Sequence, residues 1–326
     1  MENFEAAEVQ SVVTLSVSRA NDSVDDGLGL SLSAVVVNYN AGTLIVDCVR
    51  LALQQCNEVV VVDNASSDTS VSLLEQAFPA NAGLLVVRNP KNLGFAVACN
   101  IGASYATSTH LLFLNPDCLL DAGAAARLVD ALESETGVAM VGGLLLKPDG
   151  TEQAGGRRAM PTPWRSFVRG FGLSRFANRW PKLFFDFHLH MLPLPYRPIE
   201  VEAISGACAL LRASTLVGVG AWDEGYFLHC EDLDLCTRLT RAGQKILFVP
   251  DARVLHYKGA CSRGRPIFVE WHKHRGMMRF YRKFFRHQYP GVVMWLVSVG
   301  VWLRFLLVAG YFTARRMGKA LGLARD

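Results

Sequence analysis

The chain has 326 residues, 51% of them hydrophobic, enough to bury one large core or two smaller ones. Its formal net charge is only +4, and the excess is uneven: residues 272–287 hold Lys273, Arg275, Arg279, Arg282, Lys283 and Arg286 with no acid among them. The eight cysteines are scattered without a CxxC pair, which argues against zinc, and the acidic N-terminus lacks the basic-then-apolar pattern of a secretory signal.

Residues 1 to about 30 have no sustained period, and Asn21-Asp22-Ser23 with Asp25-Asp26-Gly27 is turn or tail chemistry, so a loosely ordered extension is expected. Ser33–Asn40 reads as a strand buried on both faces. After the Gly42 turn, Leu44, Ile45, Cys48, Leu51 and Ala52 form a helical stripe. Glu58–Asp63 is the next buried strand, followed by a helix over about 69–78 and a strand at Leu84–Arg88. The turn-rich Asn89–Phe95 leads into a small-residue helix through Cys99, Asn100 and Gly102. His110–Leu114 is the fourth strand. It stops on Asn115-Pro116-Asp117, because proline cannot extend a central ladder and aspartate disfavours a strand interior.

This β-α-β-α-β-α-β order with short links predicts a mostly parallel sheet with right-handed crossovers. Ligands bind such sheets beyond the carboxyl ends of the strands. Asn38 and Asn40, then Asp63 and Asn64, then Asn115 and Asp117 all fall at those ends. One polar terminus is ordinary; three in sequence make a site.

Further on, residues 121–135 read as a helix, Val138–Leu146 as a strand and Lys147-Pro-Asp-Gly150 as a turn. From 151 to about 200 the chain is rich in Arg, Phe, Trp and Pro without a clean period, which fits a lid, a membrane-facing surface or ordinary packing. Ala203–Leu211 is a strand, and a helix through Leu235 and Leu239 stops near Gly243. Lys245–Val249 is a further strand, followed by Val254–Tyr257. Cys48, Cys99 and Cys236 lie in helical or apolar patterns that suit reduced, buried thiols.

Glu231, Asp232 and Asp234 open the helix that ends near Gly243. Acids are favoured there by the helix dipole, at roughly 0.3–1 kcal/mol each, and Asp234 with Arg238 makes an i,i+4 pair. A carboxylate pair just after an aromatic loop is also a plausible general base beside an acceptor pocket. His256 is similarly two-sided, since a lone histidine after a strand is more often structural. One Asp and one His suffice for an octahedral Mg2+ or Mn2+ if a diphosphate supplies the other oxygens, and the imidazole tilts the choice towards Mn2+.

A family resemblance rests on an ordered set of motifs. They are Val35-Val-Val-Asn-Tyr-Asn40, Val62-Asp-Asn-Ala-Ser-Ser-Asp68, Asn92-Leu-Gly-Phe-Ala96 with Asn100-Ile-Gly102, Leu114-Asn-Pro-Asp117, Trp222-Asp-Glu-Gly-Tyr-Phe227 and Glu231-Asp-Leu-Asp-Leu-Cys-Thr-Arg238. Over about 33–262 the chain resembles a family 2 glycosyltransferase of the bacterial rhamnosyltransferase branch. The resemblance implies an α/β GT-A fold, a mostly parallel Rossmann-like sheet flanked by helices. It also implies inverting transfer of a sugar, dTDP-rhamnose being the first expectation for the donor, to a glycan or polyprenyl-linked acceptor in cell-surface polysaccharide synthesis. By that resemblance Asn38, Asn40, Asp63, Asn64, Asn92, Gly94 and Asn115 belong to the nucleotide-sugar pocket, with Asp63 reading a pyrimidine base. Asp117 matches the metal-binding carboxylate of the DXD position, whose first acid is here Asn115, and His256 the histidine that completes the metal site. Asp232 matches the catalytic base, with Glu231 its rival, and Trp222, Asp223 and Glu224 lie on the acceptor side. Two other classes bracket this reading. A sugar nucleotidyltransferase wants a cationic Gly-rich loop after the first strand, and here no cation precedes Arg50; a non-catalytic nucleotide- or glycan-binding relative is the other.

In 272–287 the cations alternate with Met277, Met278, Phe280, Tyr281, Phe284 and Phe285, a pattern that fits an anionic membrane interface better than nucleic acid. The apolar run Gly291–Tyr311 is broken by Arg304, whose charge costs about 2.5–3.5 kcal/mol at mid-bilayer. The expected domains are an extension over 1–30, a catalytic domain over 31–262 and basic, apolar membrane-associated helices over 263–326, on the cytoplasmic face of the cell membrane. An interfacial or re-entrant anchor is expected ahead of a true span.

Overall fold

The computed structural model describes residues 31–320 except 81, 178, 185, 186, 188 and 260–263; the expected 1–30 extension lies outside the described residues. The first half alternates β1 (Leu32–Asn38), α1 (Leu44–Leu53), β2 (Glu58–Asp63), α2 (Ser70–Ala77), β3 (Leu84–Arg88), α3 (Phe95–Tyr105) and β4 (His110–Leu114). There follow β5 (Cys118–Leu120), α4 (Ala124–Glu133), β6 (Val138–Leu146), β7 (Arg157–Arg158), α5 (Pro163–Gly170), β8 (Ile199–Glu200) and β9 (Ala203–Ile204). The chain continues through β10 (Cys208–Arg212), α6 (Ala213–Gly218), α7 (Glu231–Arg241), β11 (Lys245–His256), α8 (Pro266–Phe284) and α9 (Gly291–Ala320). Among the described residues, one compact unit draws on Met1–Met160, Phe187–Gly225 and Glu231–Cys261, and a second on Pro161–Asp186, Tyr226–Cys230 and Ser262–Asp326.

The first unit is built on a nine-stranded sheet in the order β3-β2-β1-β4-β10-β6-β11-β5, with β8 pairing β11. Strands β1, β2, β3, β4, β6 and β11 run one way, and β10, β5 and β8 run against them. The sheet is therefore mostly parallel by direction. The continuous Val runs of β1 and β2 are buried throughout, as two-sided coverage by helices requires. Helix α3 sits close: a Cβ on Gly102 would lie 2.3 Å from Val35 Cγ1, so the backbone of the helix nearly touches the sheet.

The two short pieces expected at Lys245–Val249 and Val254–Tyr257 are one strand, β11, with a register shift between Val249 and Arg253. Pro250 lies in that shift and has no N–H for the ladder, so the pairing breaks and resumes. After β6 the Lys147–Thr151 turn folds the chain back, Leu146 bridging Glu152 and Gln153 N donating to Leu145 O at 2.8 Å. The chain then forms the small β7–β9 ribbon, with Arg157 opposite Ile204 and Arg158 opposite Ala203.

In the second unit α5 begins on Thr162, whose side chain accepts from Arg165 N, with Pro163 in the first turn. Trp164, Phe167 and Phe171 stack along it and are all exposed. Helix α9 carries the run Gly291–Gly318, which is long and apolar enough to cross a membrane. Arg304 within it is tied to α8: Nη1 donates to His274 Nε2 at 2.9 Å, and Glu270 Oε2 lies 4.0 Å away. Trp271 of α8 packs against Trp302 and Phe305 beside this contact.

Candidate active site

The carboxyl ends of the parallel strands carry the polar side chains, and the register pairs them. Asn38 lies opposite Asp63 in the β1–β2 ladder, and its Nδ2 donates to Asp63 Oδ1 at 2.8 Å. Both are buried, the same amide reaches Ser70 Oγ at 2.9 Å, and Asn38 Oδ1 is buried with no hydrogen-bond partner among the described residues. Ala65, two residues past Asp63, is held at φ 59°, a left-handed conformation that alanine disfavours.

The other expected donor-side residues have mainly a framing part. Asn40 Oδ1 accepts from Ser67 N at 2.8 Å and so ties the loop after β1 to the loop after β2. Asn64 Nδ2 donates to Gly94 O at 3.0 Å and its Oδ1 accepts from Asn89 Nδ2 at 2.8 Å, pinning the turn before α3. Asn92 Oδ1 accepts from Gly94 N at 2.9 Å, and Gly94 holds φ 90°, which only glycine adopts without strain. Asn115 is half-buried; its backbone N donates to Ala207 O and its O accepts from Cys118 N, closing the turn that presents Asp117.

Asp117 and His256 meet. His256 ends β11 opposite Cys118 of β5, and its Nε2 lies 3.2 Å from Asp117 Oδ1 with both groups buried. Tyr257 N donating to Asp117 O at 2.9 Å fixes the pair from the backbone side. With Cys118 these form a group of three possible metal donors within 4.8 Å of one another. Cys118 is the weakest of the three: burial, then the nearby Asp117 charge, push its thiol well up, and Sγ is turned to Ala207 O at 3.4 Å. One carboxylate and one imidazole leave most of an octahedral shell for phosphate oxygens and water, so the donor set fits Mg2+ or Mn2+ with a diphosphate rather than a closed protein cage.

Helix α7 brings the second pair of acids. Asp232 Oδ1 accepts from Leu233 N at 2.8 Å, and Oδ2 accepts from Gly206 N at 3.3 Å and pairs with Arg158 Nη2. Glu231 is buried, its Oε2 has no hydrogen-bond partner among the described residues, and burial followed by the Asp232 charge raises its carboxyl to about 8. Glu231 is thus pushed towards its neutral form, while Asp232 remains partly open to solvent, with 14% side-chain exposure. Asp234 is buried and holds Arg238 Nε at 2.6 Å, the i,i+4 pair expected from spacing.

A single backbone segment links the two centres. Gly206 touches Asp232, and Ala207 O receives both Asn115 N and the Cys118 thiol. A Cβ at Gly206 would lie 3.4 Å from Asp232 Cβ and 3.6 Å from the Trp222 ring. Trp222 packs edge-on against Phe95 and Phe113, and Asn100 clamps its backbone from both sides at 3.0 Å. Of the residues expected on the acceptor side, Trp222 is therefore buried, Glu224 is bound to Asn100 Nδ2 at 2.8 Å, and Asp223 Oδ1 accepts from Gly225 N at 2.9 Å.

Sequence reasoning missed Arg158 and Gln153. Both fall in the aperiodic stretch after β6, where the return of the chain onto β6 delivers Gln153 and the pairing with β9 delivers Arg158. The doubled Gly155-Gly156 before Arg157-Arg158 was the available signal.

A family model described as Glycosyl transferase family 2 matches residues 33–213. The chain is similar to an N-acetylglucosaminyl-diphospho-decaprenol L-rhamnosyltransferase of Mycobacterium tuberculosis, at 31% identity over 72% of this chain and 78% of that protein. It is also similar to the rhamnosyltransferase WbbL of Escherichia coli, at 29% identity over 66% of this chain and 78% of that protein. Among solved structures it superposes on GalNAc-T7 with UDP, GalNAc and Mn2+, at a TM-score of 0.57 and 19% identity over 78% of this chain; it spans about half of that enzyme, 48%. A mannosyltransferase from Pyrobaculum calidifontis in complex with GDP-Man and Mn2+ gives a TM-score of 0.53 and 16% identity over 98% of this chain and 90% of that one. Both structural likenesses are likenesses of fold.

Proposed function

The chain belongs to glycosyl transferase family 2 and has the GT-A fold, and from that premise we propose that it transfers L-rhamnose from dTDP-rhamnose to a polyprenyl-linked glycan in cell-surface polysaccharide synthesis, with inversion. The observation that carries the proposal is the pair of carboxylate centres on either side of Gly206-Ala207, Asp117 with His256 and Asp232 with Arg158. The two rhamnosyltransferases named above support the sugar, and the first of them supports the acceptor class.

In this reading Asn38 and Asp63 bind the nucleotide, with Asp63 facing the base. Asn40, Asn64, Asn92 and Gly94 hold the loops that shape its pocket. Asn115 and Asp117 face the diphosphate. Asp117 and His256 hold Mg2+ or Mn2+, which when bound offsets the negative charge of the leaving diphosphate. Asp232 removes the proton from the acceptor hydroxyl as that oxygen attacks the anomeric carbon. One base on the acceptor side is enough for a single displacement with inversion. Trp222 walls the acceptor side, and Asp223 and Glu224 order the loop that carries it. Helices α8 and α9 hold the enzyme on the cytoplasmic face of an anionic membrane, which suits a lipid-linked acceptor. Among the described residues no cysteine is joined in a disulfide.

The test is transfer from dTDP-rhamnose and from UDP-sugars to a polyprenyl-linked acceptor, with Mn2+ or Mg2+. Asp232→Asn is expected to lower kcat by about 10²–10⁴-fold while donor binding changes little. Retained turnover in that variant would remove Asp232 from the role of base.

A further inference from the structure

We infer that Gln153 sets the ring of His256 for metal binding, its side-chain amide fixing the imidazole hydrogen on Nδ1 so that the bare Nε2 faces Asp117. The inference deepens the metal-site reading of Asp117 and His256 and rests on it.

Both side chains are almost fully buried. Gln153 and His256 are each 5% exposed, Gln153 Nε2 lies 3.1 Å from His256 Nδ1, and His256 Nε2 lies 3.2 Å from Asp117 Oδ1. The neutral ring has one hydrogen for two nitrogens, and a nitrogen that binds a metal must be bare. Nδ1 must then carry the hydrogen and needs an acceptor, which ligating histidines regularly find in a carbonyl, carboxylate or water. Among the described residues Gln153 is the side chain hydrogen-bonded to Nδ1.

An amide serves either arrangement. With its NH₂ towards Nδ1, the ring hydrogen sits on Nε2 and donates to Asp117, which suits the metal-free pair. With the amide turned over, Oε1 accepts from Nδ1–H and Nε2 is released to a cation held against Asp117. Among the described residues Gln153 Oε1 is buried with no hydrogen-bond partner, so turning the amide breaks no bond to that oxygen among them. The backbone around it is fixed meanwhile, with Gln153 N on Leu145 O at 2.8 Å and Gly156 N on Gln153 O at 3.3 Å. Leu146, next along β6, pairs with Leu255, which precedes His256 in β11. The hairpin after β6 thus delivers this one amide to the outer nitrogen of the ring.

The experiment titrates Mn2+ against the full-length chain in saturating dTDP, and in parallel UDP, reading free Mn2+ by electron paramagnetic resonance without turnover. Gln153→Met keeps length and loses the acceptor; its Mn2+ affinity is expected to fall by about 10–100-fold. Gln153→Glu keeps an acceptor towards Nδ1 and is expected to hold Mn2+ at least within about threefold of the parent, since the outer-shell acceptor survives. Unchanged affinity in a folded Gln153→Met, or a loss in Gln153→Glu as large as about tenfold, overturns the inference. Asp117→Ala in the same titration separates the two readings. If it abolishes binding while Gln153→Met does not, only the role of Gln153 fails. If Asp117→Ala also leaves affinity unchanged, the metal site itself fails and takes the inference with it.

Discussion

Glu231 and Asp232 are adjacent, chemically alike, and in opposite surroundings. Glu231 points into the core, where burial and then the Asp232 charge raise its carboxyl to about 8, while Asp232 meets Arg158 and the Gly206 N–H at a partly open position. A base must be reachable and not held in its neutral form, and it is the proposed base Asp232, not Glu231, that lies at the partly open position. The raised acid also has a stability consequence. In the unfolded chain Glu231 ionises near its ordinary 4.5, so between 4.5 and about 8 the folded state keeps a proton that the unfolded state has released. Stability therefore falls as pH rises through that window. Glu231→Gln removes this contribution, so its stability relative to the parent should rise with pH by up to about 1.4 kcal/mol per pH unit, read from urea melts at both ends of the window. The variant should also keep most of its transfer activity at neutral pH, in contrast to Asp232→Asn. Parallel melts across the window would show that Glu231 is ionised in the folded protein.

At the scale of elements, the site depends on how closely helices approach strands. Helix α3 begins at Phe95, immediately after the Asn92–Gly94 turn, and its Asn100 clamps Trp222; its height over the sheet therefore sets the position of both that turn and Trp222. Gly102 fixes that height. A methyl group there would meet Val35 Cγ1 at 2.3 Å and Val62 Cγ2 at 3.1 Å, both on strands that end at Asn38 and Asp63. Gly102→Ala should cost about 1–3 kcal/mol by overpacking and should weaken donor binding along with stability. A thermal melt and a nucleotide-sugar titration check this; an unchanged melting temperature would mean that α3 can lift without strain. The same closeness appears at Gly143, where a Cβ would lie 2.4 Å from Ala252 O, beside the register shift of β11.

At the scale of the whole molecule, the second unit displays a large apolar surface. Along α9, Trp295, Leu296, Leu303, Leu306 and Leu307 are all more than half exposed. Arg304 is less of an obstacle to a bilayer than its position in the run suggests, because it donates to His274 and lies beside Glu270. His274 fits that role as an acceptor: its Nδ1 donates to Glu270 O at 2.7 Å, and burial, offset in part by that bond, keeps the ring neutral to lower pH. The apolar face and the basic α8 make anionic lipid the expected environment. Leu303→Asp with Leu307→Asp, both at exposed positions, should shift the full chain from anionic vesicles to the supernatant by about tenfold or more, each charge being worth roughly 2.5–3.5 kcal/mol at mid-bilayer. Its melting temperature should change little. Equal vesicle binding by parent and variant would place the membrane contact elsewhere.

The periodicity of the first half determined the alternating strands and helices, because buried parallel strands read as unbroken Val and Leu runs. The polar residues that interrupt those runs marked the carboxyl edge where Asn38, Asp63 and Asp117 lie. The ordered motifs carried the family as well. Tertiary structure decided the rest, for a physical reason: a side chain's surroundings depend on strands distant in sequence. The meeting of Asp117 with His256 needs β5 to pair with β11. The arrival of Arg158 at Asp232 needs the β7–β9 ribbon, and the delivery of Gln153 to the far side of the His256 ring needs the hairpin after β6. No local pattern encodes these contacts, because each joins residues about seventy or more positions apart across a sheet edge.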